Sequence, residues 1–405
     1  MSRVAVDYLV SRFPVTSETF IVRELEALSD TGRYDIGLRS LFASPDPEVH
    51  DVARRWTPRL VRPGIRQAVE GMAWAVVRHP IATIAVLAHV VRGYAAAPKL
   101  LIRALATVPL AAAHARDLSR PGAPRHVHAH YATYPALAAW ICSRLAGVSY
   151  SVTAHAHDIY VDTSMLATKI ADARFVVTVS EYNRTLLNGL AGGVTPVEVV
   201  HCGIRSGEYT HRPRSIPSTG RISALCVASL QEYKGHAVLL RALALGGAGV
   251  DRIDLELIGH GPLHDELIGL AASLGIAGRV RFHGGRSETF VKDALDRADL
   301  FVLPSIVAAD GQMEGLPVAL MEALACGVPT VSTTLSGIPE IVVPGVTGLL
   351  ATAGDAESLR DTLEEMIAAG PAVAKFARAG RELVEREFDS VDATKALLRL
   401  FDSLE

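Results

Sequence analysis

Twice along this chain, short apolar runs rich in β-branched residues alternate with helical patterns, and that alternation admits few folds. Strands buried on both faces read as nearly continuous apolar runs, and helices between them imply crossovers in a parallel sheet. In the first half, residues 4–10, 149–153 and 175–179 read this way. In the second half, residues 222–228, 255–258, 280–283, 300–303 and 330–332 repeat the pattern. Between the halves lies SGEYTHRPRSIPSTG (206–220), whose Pro, Ser, Gly and Arg content without periodicity predicts an exposed interdomain linker. A chain of 405 residues has room for two compact units. The expected fold is α/β: two doubly wound, Rossmann-like domains over 1–205 and 221–387, with a C-terminal helix in 388–405 able to cap either one. That helix shows apolar positions at Val391, Leu397, Leu398 and Leu400.

Charge adds a division that the total conceals. The net value is -3, yet residues 1–205 carry 22 Lys+Arg against 16 Asp+Glu (+6), and residues 206–405 carry 18 against 27 (-9). The excess is concentrated in 66–116, an Ala/Val/Leu-rich segment in which Arg66, Arg78, Arg92, Lys99, Arg103 and Arg116 face one acid, Glu70. Two or three helices are expected there, either as a basic amphipathic surface for anionic lipid or as ordinary cover helices with a solvated basic face. No apolar run reaches the roughly 18 to 20 residues of a membrane span. Four scattered cysteines without a C-x-x-C pair suggest a reducing compartment, and Asp7 breaks the first apolar run before signal-peptide length. A cytoplasmic location is expected, and nucleic acid is not expected as a partner.

In open α/β sheets ligands bind beyond the carboxyl ends of the strands. After 300–303 comes PSIVAADGQMEGLPVALMEALACGVP, with Glu314 in a Gly-rich loop and Glu322 in a helix that starts near Pro317 and ends before Gly327. Free N–H groups from Gly315 and Leu316 onward, together with the helix dipole, favour an anion such as a diphosphate. Two carboxylates there make sense as acceptors of sugar and ribose hydroxyls; the plainer alternative is a loop Glu and a solvated helix Glu. A second constellation is histidine-rich. His126, His128 and His130 alternate, so on a strand they share a face, and with His155 and His157 they could form a metal site, although downstream carboxylate ligands are missing.

Glu314-Gly-Leu-Pro with Glu322-Ala resembles the E-x7-E signature of retaining glycosyltransferases of family 4, which have the GT-B fold, two Rossmann-like domains facing across a cleft. Further matches follow in order: TAHAHDIY (153–160), TVSEYNR (178–184), VHCGI (200–204), YKGH (233–236), IGHGP (258–262), VRFHGG (280–285), LPS (303–305) and SGIPE (336–340). FPVTSETFIVRE (13–24) is similar to the bacterial exopolysaccharide and colanic-acid-type branch. The resemblance implies a C-terminal domain that binds a nucleotide-diphosphate sugar and an N-terminal domain that binds a glycan acceptor, lipid-linked, at the inner face of the cytoplasmic membrane. It makes Lys234 the phosphate-binding lysine and Glu314 the binder of a donor-sugar hydroxyl, with Gly315, Leu316 and Pro317 beside it. Glu322 holds the ribose, Gly284 and Arg286 shape the base pocket, and His155 lies against the transferred sugar, oriented by His157 and Asp158. Glu18, His130 and Asp158 are acceptor-side candidates, and no metal or other cofactor is implied. One position departs from the family: Ser229 stands where relatives have an arginine, and a serine replaces neither its charge nor its bidentate fork. Arg205 and Arg12 are candidate substitutes. That departure motivates the rival reading of a non-catalytic GT-B scaffold, and a nucleotide-sugar epimerase of the same fold is a third.

Overall fold

A computed structural model describes residues 4–15, 19–44, 51–212 and 214–404. The chain divides into two compact units: one contains residues up to Thr178, Arg184–Val200 and Thr394 onward, the other Val179–Asn183 and His201–Ala393.

The first unit holds seven parallel strands: β1 (Val4–Phe13), β2 (Tyr34–Ala43), β3 (Leu60–Val61), β4 (His126–His130), β5 (Ser149–Ala154), β6 (Val176–Thr178) and β7 (Val197–Val199), in spatial order β3-β2-β1-β4-β5-β6-β7. Strand order reverses between β1 and β4. β2 was not legible because YDIGLRSLFA carries Asp, Gly, Arg and Ser within it. Its Arg39 is nonetheless buried, forming an ion pair with Asp7, the residue that interrupts the apolar run of β1, and a second with Asp117 at 2.9 Å. Two mutually paired polar side chains thus stand where apolar ones would signal a strand.

Three helices follow β3: Ile65–Arg78, Pro80–Tyr94 and Pro98–Leu118. No single helix among the described residues is long and apolar enough to cross a membrane; the first two pass only as a pair, bent by 117°. The C-terminal helix spans Ser390–Asp402, and its residues from Thr394 onward belong to the first unit. Leu397 and Phe401 are its buried anchors, Phe401 packing on Tyr8, His128 and Phe175, whereas Val391, expected on the apolar face, is exposed.

The second unit holds six parallel strands: β8 (Ile222–Val227), β9 (Ile253–Ile258), β10 (Val280–Phe282), β11 (Leu300–Leu303), β12 (Thr330–Thr333) and β13 (Leu349–Ala351), ordered β10-β9-β8-β11-β12-β13. The order reverses between β8 and β11. The segment 206–220, expected as an exposed linker, is stitched into this unit instead. Tyr209 and Ile216 are buried in its core, the Arg212 N–H donates to the Cys326 carbonyl at 3.1 Å, and the Arg214 guanidinium donates to the carbonyls of Leu295 and Ala298. Its lack of periodicity reflects anchoring by single side chains rather than exposure.

Candidate active site

In the second unit Lys234 and Glu314 lie at the strand ends where the order reverses, the place where a doubly wound sheet opens a crevice; in the first unit His130 ends β4, beside the reversal, and His155 follows the neighbouring strand β5.

In the second unit, Lys234 ends a short turn (Glu232–Lys234) after β8, and Glu314 lies in the loop after β11. Their side chains form a largely buried ion pair. Burial is the largest influence and works against the ammonium, but the charge and hydrogen bond of Glu314, with Tyr233 and Cys226, together outweigh it, so the Lys234 pKa is raised and the amine stays protonated. The Lys234 ammonium also sits 4.8 Å from the centroid of the Tyr233 ring. Gly235 closes the turn at φ 72, and a Cβ there would lie 1.8 Å from the Pro304 carbonyl oxygen. This contact presses the β8 loop against the β11 loop and so sets Lys234 beside Glu314.

Helix Val318–Cys326 is capped by Pro317 and ends at Gly327, close to the expected limits. Gly315, Leu316 and Pro317 are buried at its entry. The Ser336 hydroxyl donates to the Glu314 carbonyl and contacts the Gly315 carbonyl at 3.3 Å, so SGIPE holds the loop that carries Glu314. Ser336 has φ 45, unusual for a residue with a side chain. Glu340, the last residue of that motif, accepts from the N–H groups of Glu181 and Tyr182 at 3.0 and 3.1 Å, at the start of helix Glu181–Ala191. Glu322, half-buried, accepts from the Tyr209 hydroxyl at 2.7 Å. Sequence reading gave Tyr209 and Ser336 no role of their own; the signal lay in their place within an aperiodic segment and a family motif.

The remaining expectations for this unit resolve as follows. The Gly284 carbonyl accepts from the Gly259 N–H at 2.9 Å, joining the loops after β9 and β10, while Arg286 is exposed and lies over Phe290. Ser229 sits in the loop after β8. Arg205, offered as a substitute cation, is exposed and paired with Glu208 at 3.5 Å. Arg12 belongs to the first unit, exposed near the end of β1.

In the first unit His155 follows β5. Its ring stacks on His130 at the end of β4, with centroids 5.4 Å apart and planes at 21°, and contacts Phe20 and Tyr131. Asp158, expected to touch the acceptor, is buried instead, with its carboxylate accepting from the N–H groups of Ala132, His155 and Ala156 at 2.8 to 3.0 Å. It ties the loop after β4 to the loop after β5, and so positions the His155 backbone. His157 is exposed. His130, another acceptor-side candidate, is completely buried. Glu18 lies outside the described residues.

The alternating histidines form a hydrogen-bonded ladder. β4 and β5 align His126 with Ser149, His128 with Ser151 and His130 with Thr153. The His126 ring bridges the hydroxyls of Ser149 and Ser151 (2.9 and 2.8 Å), and the His128 ring bridges Ser151 and Thr153 (2.7 and 2.9 Å). The His130 ring bridges Glu24 and His155 (3.2 and 3.3 Å). Period-2 histidines on one strand interlock with period-2 hydroxyls on the next, and the last rung is His155. Glu24, His128 and His130 place one ligand-type atom each within 4.8 Å of one another. In this cluster the ring nitrogens of both histidines are taken up by hydroxyl, carboxylate and imidazole partners. His157, part of the metal alternative, lies apart on the surface.

Burial holds the pKa of His126 down to about 3 and that of His155 down to about 4, the latter also lowered by His130. Unfolded histidines titrate near ~6.5 and so bind protons that these refuse. Stability therefore rises with pH through this range and is lost as pH falls below that value. Glu24, held down to about 2 because His130, His128 and Tyr8 outweigh its burial, loses its contribution only at lower pH. The melting temperature should fall continuously from about pH 7 to about pH 5, with a shallower slope in His126→Gln. A pH-independent melting temperature across that window would contradict the ladder.

Residues 209–383 match the family model described as glycosyl transferases group 1. Over 98% of its length the chain is 28% identical to the amylovoran biosynthesis glycosyltransferase AmsK of Erwinia amylovora, covering 99% of that protein. It is 35% identical to the putative colanic acid biosynthesis glycosyltransferase WcaL of Escherichia coli (strain K12), over 51% of each chain. Among solved structures, the fold is similar to the lipopolysaccharide outer core galactosyltransferase WaaB (TM-score 0.73, 17% identity, 99% of this chain and 100% of that one). It is likewise similar to Anabaena HepE in complex with UDP (TM-score 0.70, 18% identity, 99% and 100%). The second half of the chain thus matches the group 1 glycosyl transferase family model, and its two Rossmann-like halves have the GT-B fold of these glycosyltransferase structures.

Proposed function

We propose that this chain is a retaining, metal-independent glycosyltransferase that moves a sugar from a nucleotide-diphosphate sugar to a lipid-linked glycan acceptor in cell-surface polysaccharide biosynthesis. The observation that carries the reading is the Lys234–Glu314 pair at the point where the second sheet reverses, beside the N-terminus of helix Val318–Cys326. The naming of relatives for amylovoran and colanic acid synthesis supports the polysaccharide class.

The chemistry asks for stabilisation of a departing diphosphate whose charge grows in the transition state. Lys234 and the N–H groups at the helix entry supply it. Glu314, once the diphosphate takes the ammonium, turns its carboxylate to a hydroxyl of the donor sugar. Glu322 accepts from the ribose hydroxyls, its second oxygen oriented by Tyr209. His155 lies against the transferred sugar. The acceptor oxygen bonds to the anomeric carbon on the face that the diphosphate leaves, and its proton passes to the departing phosphate oxygen. The bond to the diphosphate carries its electron pair away with the leaving group.

The lipid side rests on helices Ile65–Arg78, Pro80–Tyr94 and Pro98–Leu118. Ile65, Val77 and Ile81 are 87%, 77% and 84% exposed, and Ile84 and Ile102 are also exposed. Arg66 and Arg116 are partnered by Glu70, at 2.8 and 3.0 Å, leaving Arg78, Arg92, Lys99 and Arg103 exposed to complement anionic lipid. At about 1 kcal/mol for each basic residue near an anionic bilayer, these four suffice for reversible docking once apolar side chains enter the interface. The protein should sediment with phosphatidylglycerol vesicles at low salt and much less with phosphatidylcholine, and Val77→Glu with Ile81→Glu should abolish the difference. Equal recovery with both vesicles would remove the membrane from this reading.

The scaffold reading is favoured by Ser229 alone. Incubation with a panel of nucleotide sugars and acceptors separates the alternatives. Release of nucleoside diphosphate with a glycosylated product supports transfer, interconversion of the donor without acceptor indicates an epimerase, and no reaction of any donor indicates a scaffold.

A further inference from the structure

Helix Thr19–Asp30 places Glu24 beside the last rung of the histidine ladder. Its carboxylate accepts from the Tyr8 hydroxyl at 2.6 Å and contacts Nε2 of His130 at 3.2 Å. The other nitrogen of His130, Nδ1, lies 3.3 Å from Nε2 of His155. Tyr8, Glu24, His130 and His155 therefore form one line, which begins in the interior and ends at the residue assigned to the sugar. Tyr8 and His130 are completely buried, so bulk water does not compete at these two members of the line.

The proton placement follows from what each group can donate. An ionised carboxylate only accepts, so the proton between Glu24 and His130 sits on Nε2 of His130. With His130 in its neutral form its one N–H is the one on Nε2, so Nδ1 carries a lone pair and accepts from its neighbour. That neighbour is Nε2 of His155, which leaves the lone pair of His155 on Nδ1. We propose that Glu24 is a positioning residue that, through His130, fixes the tautomer of His155, so that His155 presents Nδ1 as a hydrogen-bond acceptor for a hydroxyl of the reacting sugar. This rests on the assignment of His155 to the transferred sugar and deepens it. Glu24 touches no substrate in this account; it acts only through the imidazole pair.

Nitrogen-15 NMR of histidine-labelled protein reads the tautomer directly, with His155 assigned by difference from His155→Asn. In the wild type, Nε2 of His155 should show the protonated shift and Nδ1 the unprotonated one. Glu24→Gln replaces an obligate acceptor with a group that can also donate, so His130 is free to reverse and His155 should populate the opposite tautomer. With it, kcat should fall at least about tenfold while KM for the donor stays within about twofold, and Glu24→Asp should recover part of the loss. An Nδ1–H tautomer in the wild type overturns the proposal even if no variant folds, and so does a Glu24→Gln protein that keeps both tautomer and kcat. If the wild type transfers no sugar, the functional reading fails, while the tautomer measurement still decides this one.

Discussion

Lys234→Ala should lower the rate of transfer at saturating donor by about a hundredfold to a thousandfold, or about 3 to 4 kcal/mol of transition-state stabilisation, with the protein still folded. Two effects add. The leaving diphosphate loses the cation that faces it at the mouth of the second sheet, and with Ser229 in the family arginine's place no second guanidinium on the β8 loop compensates. Glu314 also loses its partner, and its largely buried carboxylate would then stand near the diphosphate uncompensated. The loss should appear mainly in kcat, because charge on the diphosphate grows toward the transition state. Lys234→Arg should recover little, since the guanidinium must fit a space shaped around one ammonium, against Glu314 and the Tyr233 ring. Steady-state kinetics of the variants check this, and a Lys234→Ala enzyme within about fivefold of wild type would remove the residue from the phosphate site.

The second large effect concerns the fold that places that lysine. Gly235→Ala should destabilise the second unit by about 2 to 4 kcal/mol, of which about 1 to 2 comes from the left-handed conformation at φ 72 and the rest from moving the Pro304 carbonyl away from the new Cβ. Gly284→Ala is the matched control. Its φ is 68, but open space surrounds the added methyl, so only the conformational cost of about 1 kcal/mol applies. Urea unfolding should separate the two variants by at least about 1 kcal/mol, and equal midpoints would show that the close approach of the β8 and β11 loops does not matter to stability. Gly235→Ala should also lose activity beyond its effect on stability, because any relief of the contact carries Lys234 away from Glu314.

What could be read from the sequence, and what could not, divides along physical lines. Largely apolar runs announced β1, β8 and β11, because most strands buried on both faces are apolar. β2 stayed hidden because its polarity is cancelled by a contact 32 residues away, Arg39 on Asp7, which no local pattern records. The helix at 318–326 was legible from its proline and glycine punctuation, and Glu314 and Glu322 from family spacing. Glu322's partner was not, since Tyr209 lies in a segment whose aperiodic composition imitates a linker. Likewise, alternation placed His126, His128 and His130 on one face. Only the register with β5 brings Ser149, Ser151 and Thr153 within hydrogen-bond reach of them, and only the fold brings His155 to His130. Asp158, which the sequence offered both as orienting His155 and as facing the acceptor, does the first through the main chain: the N–H groups of Ala132, His155 and Ala156 claim its carboxylate.

The charge division of the chain gains a physical basis from the same comparison. The basic excess of the first half includes four exposed cations on helices that also expose Ile65, Val77 and Ile81, whereas the other two share Glu70 as an ion-pair partner. Under the proposed function the acidic second half binds its anionic donor through local groups, Lys234 and a helix N-terminus, and needs no favourable overall field.

The central claim, transfer with retention by protein groups alone, is tested most directly by the anomeric configuration of the product. The donor that the panel identifies is turned over in excess EDTA while proton NMR follows the anomeric coupling constant. The account predicts a product with the same anomeric configuration as the donor, formed at an undiminished rate. An inverted product, or a rate that collapses in EDTA and returns with a divalent ion, would contradict it.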